Sequence, residues 1–144
     1  ELEMQLSVVG PETGSAAAIK MIRSVMIKGI EALTLECFLA AARAGVLDEV
    51  TTSLKNNYPT LDWGQIADYN LERMASHGTR RAAEMEESAA TLRELGLDPL
   101  MVQSTVERQR EMGTIGKLET VRAALNSGRA AILSAINAAT KSRH

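Results

Sequence analysis

The stretch SAAAIKMIRSVMIKGIEALTLECFLAAARA, residues 15–44, decides how this chain reads. It runs for about 30 residues, roughly 45 Å as a helix, without a proline. Thr13 or Ser15 is available to cap its start and Gly45 to end it. Apolar side chains fall on nearly every side: Ala17, Ile19, Met21, Ile22, Val25, Met26, Ile30, Leu33, Leu35, Phe38 and Leu39. A helix apolar all round is expected to be buried at the centre of a helical array. Gly29, in its middle, costs about 1 kcal/mol against alanine and predicts a second helix crossing closely there.

Shorter helices are predicted outward from this one. Residues 47–56 form the first, ended by Tyr58-Pro59. Asp62 caps a segment reaching Met74, with Trp63, Ile66 and Leu71 as its buried positions. His77-Gly78-Thr79 reads as a loop into a helix over residues 80–95, stopped by Gly96. Pro99 opens a helix to about Met112, after which Gly113 and Gly116 loosen the chain. Residues 117–126 and 129–141 form the last pair, separated by Ser127-Gly128. Upstream, residues 4–9 (MQLSVV) read as a short strand closed by Gly10-Pro11. A lone strand cannot satisfy its own backbone groups. Residues 1–12 are therefore expected to be the end of a preceding domain, and residues 13–144 an all-α domain around the long buried helix.

Composition agrees with helices. Apolar residues make up 45% of 144, yet there are only one Phe, two Tyr and one Trp, so the core is aliphatic and methionine-rich. The 16 basic and 18 acidic side chains give a net charge of −2 and form no basic block, which argues against nucleic acid as a partner. Charges interrupt every apolar run well short of about 18 residues, so no membrane span is expected. Cys37 is the single cysteine and reads as a small core residue; with no zinc spacing present, no metal site is expected and a reducing cytoplasm is the predicted compartment. Met21, Met26, Met74, Met85, Met101 and Met112 read as core, and the run 84–87 (EMEE) as a solvated face.

The long helix carries charges where charges are expensive. At 100° per residue, Lys20, Ser24, Ile27, Glu31 and Thr34 share one stripe, with Lys28 at its flank. Lys28 and Glu31 are spaced to pair with each other. Lys20 has no local acid: it either lines a wet cleft or snorkels to the surface. The second feature is HGTRR, residues 77–81. With Thr79 as cap, Arg80 and Arg81 would fall in a first helical turn, where guanidinium groups and backbone donors converge on an anion. The plainer alternative pairs Arg80 with Glu84 one turn on.

GSAAAIKMIRS, residues 14–24, resembles the motif that opens the long helix in the all-α C-terminal domain of the β-hydroxyacid dehydrogenases, which include the 6-phosphogluconate and 3-hydroxyisobutyrate dehydrogenases. The likeness continues through residues 69–74 (YNLERM), 77–81 and 90–96 (ATLRELG), and covers nearly the whole chain. It implies a substrate-binding and dimerisation domain of a 6-phosphogluconate dehydrogenase C-terminal-like fold, following a Rossmann domain whose last strand is residues 4–9. It further implies NAD or NADP bound outside these residues, since no Gly-x-Gly-x-x-Gly occurs here. By the same resemblance Lys20 is the catalytic acid/base, partial burial bringing its ammonium towards neutrality. Gly14, Ser15, Arg23 and Ser24 are implied as substrate contacts, joined by His77, Arg80 and Arg81 for a small anionic substrate. Two departures stand out. Ser24 replaces the family's asparagine, and residues 83–85 (AEM) stand where many relatives place Lys-Asp-Leu, so Arg80 or Arg81 is expected to supply the missing positive charge. A homodimer through the long helix is expected, with Leu125, Ile132, Leu133 and Ile136 as candidate cover. The competing readings are a non-catalytic helical oligomerisation module and a relative of the imine or ketone reductases.

Overall fold

The computed structural model describes residues 13–141. The described residues fold as six helices: α1 (Thr13–Ala44), α2 (Leu47–Asn57), α3 (Trp63–Glu94), α4 (Leu100–Ile115), α5 (Glu119–Ala124) and α6 (Arg129–Lys141). The domain is all-α, as the composition predicts, and no strand occurs among the described residues. The expected strand at 4–9 lies outside them.

Local chemistry sets the helix ends. Gly45 and Gly96 terminate α1 and α3 with φ of 73° and 81°, a region that favours glycine. The Asp62 carboxylate accepts from the Gln65 N–H at 3.1 Å and caps α3. Helix α3 departs from expectation by running unbroken through His77-Gly78-Thr79. Gly78 is there for contact and makes no turn. A Cβ on it would lie 2.3 Å from the Gln109 carbonyl oxygen of α4. Gly113 and Gly116 complete the crossing: their Cβ atoms would sit 2.3 Å from the Thr79 nitrogen and 2.0 Å from the Ala75 oxygen. Helix α4 accordingly continues past Met112 to Ile115. Gly29, expected to mark a crossing, has nothing within 4 Å. Because only backbone meets an added methyl at Gly116, Gly116→Ala is expected to lower the unfolding free energy by about 1–3 kcal/mol in a denaturant titration. An unchanged midpoint would show that α3 and α4 can separate freely.

The main core gathers on the C-terminal half of α1. Leu35, Phe38 and Leu39 pack with Leu71 and Met74 of α3, Met112 and Ile115 of α4, and Ile132, Leu133 and Ile136 of α6. The predicted cover from α6 thus comes from the same chain. A second cluster joins Ala82, Met85 and Ala89 of α3 to Val102 and Val106 of α4, with Val25 of α1 against it. Leu71 is buried, whereas Trp63 and Ile66 are half-buried.

The long helix is not covered all round. Ile19, Ile22, Met26, Ile30 and Leu33 are exposed, Ile19 at 66% and Met26 at 64%. α3 and α4 bury one side of α1 and leave this line open, because the shorter helices gather at its other end. Met26, Ile30 and Leu33 border a groove of about 460 Å³ with Met101 of α4. Met26 and Met101 are therefore surface residues, while Met74, Met85 and Met112 are core. Cys37 is exposed and not a core residue. No described helix is long and apolar enough to cross a membrane.

Candidate functional site

Helix α1 presents a polar stripe to α3 and α4. Ser24, Lys28, Glu31 and Thr34 are buried, and Ile27 is turned outward, so the stripe follows Lys28 in place of Ile27. The expected Lys28–Glu31 pair does not form. Glu31 instead takes the Arg81 guanidinium of α3 two-pronged, with Nε donating to Oε1 at 2.8 Å and Nη2 to Oε2. The Gln109 amide of α4 donates to Glu31 Oε1 at 2.9 Å. Lys28 Nζ lies 3.0 Å from Glu84 Oε2, and Arg80 Nη1 lies 2.7 Å from Glu84 Oε1. Buried cross-helix pairs with this geometry outweigh an i,i+3 pair worth a few tenths of a kcal/mol.

The electrostatics follow the pairing. Burial by itself works against the charge on Arg81, but the hydrogen bond and charge of Glu31 hold its pKa above the ordinary guanidinium value. Burial also disfavours the Glu84 carboxylate, yet Lys28, then Arg80 and Arg81, draw its pKa below the usual range. Glu84 is thus part of a charged bridge, and Met85 beside it is core, so the run 84–87 keeps only Glu86 and Glu87 as a solvated face.

Lys20 stands outside this seam. It is exposed, and among the described residues its ammonium has no hydrogen-bond or ion-pair partner. The partial burial expected of it is not supplied by these helices. Its carbonyl accepts from Ser24 Oγ at 2.9 Å, and that hydroxyl also lies 3.4 Å from Lys28 Nζ, so Ser24 is engaged inward. Gly14, Ser15 and Arg23 are exposed near Lys20 in sequence on the first turns of α1. Met21, the next residue, meets α3 where Ser88 Oγ donates to its carbonyl at 3.0 Å.

The structure does not bring His77, Arg80 and Arg81 to Lys20. Helix α3 begins at Trp63, so Arg80 and Arg81 lie mid-helix and no helix start gathers an anion there. Arg81 is committed to Glu31. Arg80, with its side chain 57% exposed, pairs with Glu84 as the plainer reading expects. Arg80 and half-buried His77 line a groove of about 760 Å³ with Ala83, Gly116, Lys117 and Arg122. Arg80 thus reaches the surface beside Ala83. Sequence reasoning missed Lys117 and Arg122, because they join α3 only through the Gly113 and Gly116 crossing. Among the described residues no cluster of three or more His, Cys, Asp or Glu is placed to hold a metal.

These features sit in a chain with recognisable relatives. Residues 41–112 match the family model described as "Domain of unknown function (DUF1932)". Among solved structures, the crystal structure of the conserved hypothetical protein from Sinorhizobium meliloti 1021 is similar, with a TM-score of 0.73 and 36% identity, covering 88% of this chain and 42% of that one. An "Uncharacterized 28.5 kDa protein in 7S RNA 5'region" of Methanothermus fervidus is 28% identical over 103 residues, covering 69% of this chain and 39% of that protein. The chain spans about two fifths of the length of these relatives.

Proposed function

The chain belongs to the DUF1932 family, and from that membership we propose that it is the C-terminal substrate and dimerisation half of an NAD(P)-dependent dehydrogenase of the 3-hydroxyisobutyrate dehydrogenase-like group. The substrate is a small β-hydroxyacid or sugar acid. The observation that carries the reading is Lys20, exposed near the start of α1 with no partner among the described residues, while the buried charges of the same helix, Lys28 and Glu31, are matched. A lysine left free on the first turns of α1 can, as its neutral amine, receive a hydroxyl proton once a second domain closes over it. In this reading Lys20 accepts that proton as the substrate alcohol becomes a carbonyl.

The described residues do not fit a dinucleotide. They are six helices without a strand or a glycine-rich phosphate loop, so the cofactor is assigned to the additional length that the relatives carry. A screen of the full-length protein for NAD(P)-dependent oxidation of small hydroxyacids, repeated with Lys20→Met, tests the proposal. Activity that the variant retains removes Lys20 from the chemistry and favours a purely structural helix.

Dimerisation is assigned to the open side of α1. Met26, Ile30, Leu33 and Met101 supply the apolar lining of a groove that Glu36 and Arg108 also border, and a second copy supplies apolar cover of the same kind. The protein is expected to be dimeric by light scattering at micromolar concentration. Met26→Glu with Leu33→Glu should weaken the dimer by roughly 100-fold or more, since two unpaired carboxylates would be desolvated in each copy. A wild-type monomer would contradict the assignment.

A further inference from the structure

The groove between α3 and α5 is walled by three cations, of which only Arg80 meets a counter-charge, Glu84, among the described residues. Arg80, Lys117 and Arg122 line it together with His77, and no Asp or Glu does. This is not the general habit of the molecule, whose net charge is −2. Between other helices most cations meet a carboxylate: Lys28 meets Glu84, Arg81 Glu31, Arg108 Glu36, Arg110 Glu86 and Arg129 Asp68, while Arg43 is held by Asn137 and Thr140. Among the described residues Lys117 and Arg122 have neither an ion pair nor a side-chain hydrogen bond. Like charges gathered without a counter-charge repel, and a bound anion relieves that repulsion.

We propose that this groove binds the oxyanion group, phosphate or carboxylate, of a small molecule, with Lys117 and Arg122 as its principal holders and Arg80 as a third. Three features favour a built cavity over a chance patch. Gly78, Gly113 and Gly116 line it where α3 and α4 pack backbone to backbone, so that wall is held by direct helix contact. Its volume of about 760 Å³ lies within the range usual for small-molecule sites. Ala83 and Leu125 give apolar wall for a carbon skeleton. Arg122 offers a planar fork suited to two oxygens, and Lys117 a point charge.

The site is separate from Lys20. Along α3, Arg80 is roughly 12 Å from Ser88, the residue that touches Met21. The inference therefore stands whether or not the dehydrogenase reading does.

The full chain, titrated at constant ionic strength with inorganic phosphate and separately with malonate, gives the test by amide chemical-shift mapping. Saturable shifts centred on Thr79, Lys117 and Arg122 are expected. Lys117→Ala with Arg122→Ala should weaken binding about tenfold or more, with helicity by circular dichroism unchanged. Arg93→Ala, at an exposed and unpaired arginine near the end of α3, should leave it unaltered. Tighter phosphate binding assigns a phosphoryl ligand, and tighter malonate binding a carboxylate one. No saturation by roughly 50 mM of either probe, or an equal loss in Arg93→Ala, overturns the proposal.

Discussion

Turnover of the full-length protein is expected to fall by roughly 10²–10⁴-fold in Lys20→Met, the usual worth of a general acid–base group. Methionine keeps the length and bulk of the aliphatic stem and removes only the proton carrier. Dinucleotide affinity should hardly move, because no described residue fits that ligand. Stability should change by less than about 0.5 kcal/mol, since Lys20 is exposed and its ammonium has no partner among the described residues. That combination separates chemistry from packing. A lysine that only reaches the surface would leave the rate as it is, and near-wild-type turnover would defeat the assignment.

Glu31→Ala is expected to have the largest effect on stability, about 3–5 kcal/mol in a denaturant titration. The carboxylate is 1% exposed and the Arg81 side chain 7%. Removing the acid leaves a guanidinium buried without its counter-charge and takes the acceptor from the Gln109 amide. Replacing both partners, as Glu31→Met with Arg81→Met, should recover much of the loss, because an apolar pair of similar volume carries no desolvation cost. A single-variant cost below about 1 kcal/mol would mean that α1 and α3 do not close over this pair.

The features legible in the sequence are those set by neighbours a few residues away. Asp62 before a helix, Gly45 and Gly96 after one, and the span of α6 follow from capping and left-handed glycine alone. Glycine misleads where its purpose is contact. Gly78, Gly113 and Gly116 carry the same local signal as a loop, yet each meets a backbone some 30 to 40 residues away, as Gly78 does at Gly113. Charges divide in the same manner. The pairing of Arg80 with Glu84 is local and was readable, whereas Glu31 finds Arg81 and Lys28 finds Glu84 only once α1 lies along α3. The motif around Lys20 was visible as a pattern, but its separation from His77 and Arg80 depends on α3 being continuous. Lys117 and Arg122 had no signal at all, since a groove wall contributed by α5 and the turn before it has no sequence period.

The backbone crossing at Gly78 and Gly113 also sets where the chain tolerates changes in length. A residue inserted in the Leu95–Pro99 connection lies outside both helices and leaves the crossing as it is. One inserted into α3 between Gly78 and Arg81 rotates everything beyond it by about 100° relative to everything before. Gly78 would then face α4 only while Arg81 turned away from Glu31, and no single rotation would restore both. Natural variation in length across this family should therefore fall in the turns between helices, leaving the three-residue offset from Gly78 to Arg81 unchanged.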